Sequence, residues 1–169
     1  NDERLGDIIE ATLEMSAVTN IKAFDSPKKI KSSEYPWEAK LWEPVKAETL
    51  NHIKAKFSIP KGRAYAGVHL VANHKKMGIF MQYSVRDNSA SVTLETFLGE
   101  EARDKIAAAI SQLPADHLLR CAEMSQGSRN KNKWAWSISN HIDKADSSLV
   151  QWYVETIVTF FMAAEEIKL

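Results

Sequence analysis

This 169-residue chain has a single cysteine and lacks glycine clusters, long apolar runs and net charge. Its one cysteine, Cys121, cannot close an intramolecular disulfide or build a zinc site with other cysteines, and it fits a reducing cytosol. The expected place for such a residue is a buried apolar position on a strand. Glycines are few and scattered, and none forms a glycine-rich turn between strand and helix, which sets aside a P-loop nucleotide-hydrolysing enzyme. The longest nearly apolar run, 157–164, falls well short of the ~20 residues that span a bilayer, and no signal-peptide pattern opens the chain. A soluble cytoplasmic protein with no membrane partner is the expectation. Lys+Arg and Asp+Glu both total 22, so no global field steers the molecule onto nucleic acid or membrane, and any electrostatic partner must be met by a local patch. Because the first residue is Asn1 rather than Met, a truncated or processed chain with a missing N-terminal partner domain is a further expectation.

What is present reads as one domain, 1–169, with a helical and loop region over 1–63 and a sheet-helix core over 64–169. The core is organised around 64–98, where three apolar runs are separated by two polar turns, Asn73-His74-Lys75-Lys76 and Arg86-Asp87-Asn88-Ser89. Ala66, Val68, Leu70 and Ala72 alternate with Gly67, His69 and Val71. Ile79, Met81, Tyr83 and Val85 alternate with Phe80, Gln82 and Ser84, and Val92, Leu94 and Leu98 oppose Ser91, Thr93 and Glu95. Period two with one buried face is the mark of an antiparallel meander. Two further strands are expected near 117–125 and 134–142, the second with Trp134, Trp136, Ile138 and Ile142 on one face.

Helices are expected at four places. One covers 3–16, and a second begins at Pro44 with Val45, Thr49, Leu50, Ile53 and Phe57 on one face. A third follows Gly99, with Glu100 and Glu101 at its start and Pro114 as its stop. A long last helix is capped by Asp146 and striped by Leu149, Tyr153, Ile157 and Phe160. Residues 19–42 between the first two helices lack periodicity and read as a long loop tied down by Trp37 and Trp42. The order of elements does not alternate strand with helix, so the expected class is α+β: an antiparallel sheet of about five strands with helices mainly on one face.

The search for chemistry yields few patterns. No serine stands in a nucleophile elbow, and no two of His52, His69, His74, His117 and His141 have the i, i+4 spacing of helical zinc enzymes. Neither a metal nor a cofactor is therefore called for. Glu38-Ala39-Lys40 has the Glu-x-Lys form of magnesium-dependent nucleases, with Asp25 upstream as a second carboxylate; that chemistry needs the triplet on a central strand, whereas Pro36, Trp37 and Pro44 bracket it with loop or helix chemistry. The metal-dependent endonuclease is a minority reading. Charge distribution says more. Between Ser26 and Arg86 cations far outnumber carboxylates, Lys28, Lys29, Lys75 and Lys76 among them, and Arg129, Lys131 and Lys133 fill the loop between the last two strands. Together these are the candidate contacts to DNA or RNA phosphates.

The stretches SVTLETFLGEEARDKIAAAIS, HLLRCAEM and KWAWSISNHID, with Gln151-Trp152-Tyr153 on the last helix, resemble an uncharacterised bacterial domain found C-terminal to restriction-endonuclease-like nuclease domains. The likeness lies in the order of elements over about 64–169. It implies an accessory module of a restriction-type defence system with a nuclease domain or subunit as partner, and it carries over no catalytic residue. The alternative from another class is a protein-interaction or homo-oligomerisation domain using exposed aromatics such as Phe80 or Trp37.

Overall fold

The structure, a computed structural model, describes residues 38–69, 77–142 and 147–169, with Glu38, Ala39 and His69 as backbone only. The expected helix 3–16, the loop up to Trp37, the turn 73–76 and the Asp146 cap lie outside the described residues. Strands β1 (Lys56–Ser58), β2 (Tyr65–His69), β3 (Met77–Ser84), β4 (Ser89–Thr96), β5 (Glu123–Gln126) and β6 (Trp134–His141) form one antiparallel sheet in the order β1-β2-β3-β4-β6-β5. Helices α1 (Glu43–Thr49), α2 (Glu100–Ser111) and α3 (Ser147–Glu165) accompany it, so the class is α+β as expected, with one strand more.

The meander follows its alternation up to Ser84 and Thr96; Leu98, expected on the buried face, lies beyond the end of β4 and is exposed, and Thr96 is buried as the last residue of that face. On β3 Met77, Ile79, Met81 and Tyr83 are buried, and on β4 so are Ala90, Val92, Leu94 and Thr96. Register pairs like with like: Met81 stands opposite Ala66 on one side and Val92 on the other, and Leu94 meets Trp136 of β6. The turn between β3 and β4 puts Asn88 at φ 47, a conformation asparagine tolerates, and Ser84 bonds Asp87 to hold it.

Helix α3 lays Leu149, Tyr153, Ile157, Phe160 and Ala164 in the same hydrophobic cluster as those strand residues, and all of them are buried. Buried polar atoms are mostly satisfied there: the Tyr153 hydroxyl donates to the Gln82 carbonyl and Tyr83 donates to Ile142 O at 3.4 Å. Burial also pushes the Tyr153 phenol well above its ordinary pKa, with neighbouring Tyr83 adding to the effect. Trp42, fully buried, meets the Tyr153 ring edge-on at 5.0 Å and donates its Nε1 to Arg63 O at 3.3 Å, tying the turn before α1 to the β1–β2 connection.

Three further expectations need correction. The helix expected from Pro44 to Phe57 stops at Thr49, and Phe57 sits on β1 opposite Val68. Ile53 and Phe57 are four apart, which suits a helix face, but Lys56-Phe57-Ser58 also alternates, and pairing with β2 buries Phe57 as a strand residue. The strand expected at 117–125 is mostly a 3-10 turn, Leu118–Cys121, with only the four residues of β5 behind it. His117 explains this: its Nδ1 accepts from Leu119 N at 3.1 Å, a local bond that competes with a ladder, while Arg120 donates to the carbonyls of Ser111 and Leu113 at the end of α2. Cys121 is consequently exposed in that turn, not buried on a strand. Among the described residues no helix is long and apolar enough to cross a membrane.

Candidate nucleic-acid interface

Alternation that buries one side of the sheet must present the other. Opposite the helices, β3 and β4 carry Phe80, Gln82, Ser91, Thr93 and Glu95, and β6 adds Ala135, Ser137 and Ser139 in register. Across the strands one row runs Gly67, Phe80, Thr93, Ser137; the next runs Tyr65, Gln82, Ser91, Ser139. None of the described helices packs on this side. The face holds a hollow of about 340 Å³ lined by Phe80, the serines and Thr93, and Lys133. Thr93 Oγ1 and Ser137 Oγ lie 2.8 Å apart in its floor.

Aromatic surface borders this hydroxyl floor. The Tyr65 and Phe80 rings contact each other with centroids 5.3 Å apart and planes tilted by 33°, and both remain half-buried rather than enclosed. Phe97, just beyond β4, is exposed and lines a second hollow with Phe80, Glu95 and Asn132. Lys133 stands over the Phe97 ring at 5.7 Å and pairs with Glu95 at 3.3 Å.

The loop between β5 and β6 is built rather than loose. Gly127 N donates to Lys133 O at 2.8 Å, Gln126 Nε2 to Lys131 O at 2.9 Å, and Gly99 N to Asn132 O at 3.0 Å. A Cβ on Gly127 would fall 2.5 Å from Asn130 O, so only glycine allows the loop to close this tightly. Arg129 and Lys131 project into solvent and make no ion pair among the described residues.

The sequence-derived candidates therefore separate. Arg129 and Lys131 are exposed cations of one ordered loop, and Lys133 shares it but is already neutralised by Glu95. Lys28, Lys29, Lys75 and Lys76 lie outside the described residues, as does Asp25. Glu38–Trp42 forms a π-helical turn, not a central strand, so the backbone under Glu-x-Lys lacks the alternation that nuclease chemistry requires. Partial burial there lowers the Lys40 pKa. Among the described residues no three His, Cys, Asp or Glu side chains gather closely enough to hold a metal ion.

Sequence reasoning missed Tyr65 and the hydroxyl floor, counted Lys56 only among the many cations between Ser26 and Arg86, and read Phe80 only as a surface aromatic. The parity that marks Ile79, Met81 and Tyr83 as buried also puts Phe80 and Gln82 together on the other side. That signal was legible, but not which residues of neighbouring strands would meet them.

Charge is divided between the layers. Residues 51–86 hold no Asp or Glu at all, and Lys54, Lys56, Lys61, Arg63 and Arg86 are exposed on β1 and the turns around the meander. Exposed carboxylates concentrate on the helices: Glu43 on α1, Glu100, Glu101 and Asp104 on α2, Glu155 and Glu165 on α3. Zero net charge thus conceals opposite local balances. Comparison of the chain with protein-family models, curated proteins and solved structures gives no match.

Proposed function

We propose that the chain is a non-catalytic nucleic-acid-binding module, an accessory part of a bacterial restriction-type defence system that works beside a nuclease domain or subunit. The observation that carries the binding reading is the open sheet face: an aromatic pair and hydroxyls at its centre, with unpaired cations on the surrounding strand and loops. Cations attract the phosphate backbone and release its counterions, while aromatics and hydroxyls offer stacking and hydrogen bonds to bases. The defence setting rests on the resemblance in element order alone. The lone Cys121 supports a reducing, cytoplasmic location.

Binding of labelled DNA and RNA across a salt series tests the reading. Wild-type chain is expected to bind with strong salt dependence, and Arg129→Ala with Lys131→Ala to lower the slope of log affinity against log salt by about 0.7–0.9 for each phosphate no longer neutralised. Lys133 is left intact because Glu95 already occupies it. Absence of salt-sensitive binding by the wild type would refute the proposal.

A second reading has its own observation. Strand β5 is an edge whose every residue is exposed, Met124 at 51%, and such an edge can pair with another chain. Self-association through it predicts a dimer in light scattering that a proline at Ser125 dissolves.

A further inference from the structure

Resting on the nucleic-acid reading above, we propose that the ligand is single-stranded and lies across the open sheet face with a base stacked on the Tyr65–Phe80 pair. The position of the two rings decides the strand state. They stand on β2 and β3, within a six-stranded sheet about 24 Å across, and not at a hairpin tip. A duplex groove about 12 Å wide admits a helix or a two-stranded ribbon, not a sheet face, and paired bases keep their π faces inside the stack. Only an unpaired base can bring its ring onto these aromatics.

The rest of the face suits the same ligand. From Tyr65 on β2 to Ser139 on β6 is a path of about 14 Å through β3 and β4, room for two or three bases laid over a sheet. Its floor of Ser91, Thr93, Ser137 and Gln82 both donates and accepts, and hydroxyls rotate to suit, so it serves any base edge with little preference. Charge complementarity commits the face to a polyanion. Lys56 and the Arg129–Lys131 loop lie toward one end of the strands, and Arg63 and Arg86 lie in the turns at the other. Of the carboxylates on this face, Glu95, which would repel a phosphate, is held by Lys133, and Glu123, in register with Ser137, stands exposed on the edge strand β5, beyond the path from Tyr65 to Ser139.

The test uses the full chain and labelled oligonucleotides of about a dozen nucleotides, single-stranded and as the matching duplex, with folding followed by circular dichroism. Wild type should bind the single strand more tightly than the duplex. Phe80→Leu keeps apolar volume but removes the ring, and should weaken single-strand binding about ten-fold, the scale of one base stack removed, with the salt slope unchanged. Should that variant melt early, Tyr65→Leu, at the other ring of the pair, gives the same readout. Duplex binding equal to single-strand binding, or undiminished binding by a folded Phe80→Leu or Tyr65→Leu protein, overturns the single-strand proposal while leaving the nucleic-acid reading intact. No salt-sensitive binding to either form overturns both.

Discussion

The two faces of the sheet come from the same strands, yet among the described residues one is closed by helices and the other is left open. On β4, Val92 and Leu94 are fully buried beneath the helical layer, while Ser91 and Thr93, one residue away from each, face the other side. Apolar alternate residues demand a cover and hydroxyl-bearing ones do not, so the sheet can commit one side to stability and keep the other for contact. The charge follows the same division in part, with most exposed carboxylates on the helices, Asp87 in the β3–β4 turn and Glu123 on β5 being exceptions on the sheet, and unpaired cations around the meander.

The contrast between faces is broken most severely from inside. Leu94→Ala should cost about 2–5 kcal/mol in chemical denaturation, because a fully buried side chain is replaced by a cavity, whereas Ser91→Ala should stay within about 0.5 kcal/mol. Equal costs would mean that the open face is also core.

A smaller effect is expected where the two faces meet through the backbone. Tyr153 reaches from α3 to the carbonyl of Gln82, whose side chain is on the open side, and Tyr153→Phe removes that bond at about 1 kcal/mol. Its pH signature is more telling. The folded-state pKa is raised, so the neutral phenol is common to both states below the unfolded value near 10. Stability is lost as pH rises from that value toward the folded pKa, because only the unfolded chain then ionises. Tyr153→Phe should flatten this alkaline loss, measured as melting temperature against pH.

The smallest effect on stability belongs to the open face itself. The Lys133–Glu95 pair is partly solvated, and Lys133→Ala should cost no more than about 1 kcal/mol. Its effect on nucleic-acid affinity should exceed that of Lys131→Ala, because it unmasks Glu95 as well as removing a cation. Adding Glu95→Gln should restore part of that affinity, read as a double-mutant cycle of binding.

Much of this architecture was legible beforehand. The alternation at 79–85 and the apolar stripe from Leu149 to Phe160 each have a period that only one element satisfies, and both elements formed. Short segments were less legible. Ile53 and Phe57 satisfy helical spacing while 56–58 alternates, and HLLRCAEMS is apolar enough for a strand until His117 caps a turn within it. The site was legible only in part: Arg129 and Lys131 stand exposed as candidates, but nothing local marks Lys133 as already paired with Glu95.

By itself the sequence determined the α+β class, the parity of each long strand and the apolar stripes of α2 and α3, because these depend on periods of a few residues along one backbone. Tertiary structure alone decided that Lys56–Ser58 would join β2, that Tyr65 would touch Phe80, and that Thr93 would meet Ser137 in the floor of a hollow. Those outcomes depend on register between strands distant in the chain. A local pattern limits which side a residue faces, but the neighbour it meets there is set by pairing, which no single stretch encodes.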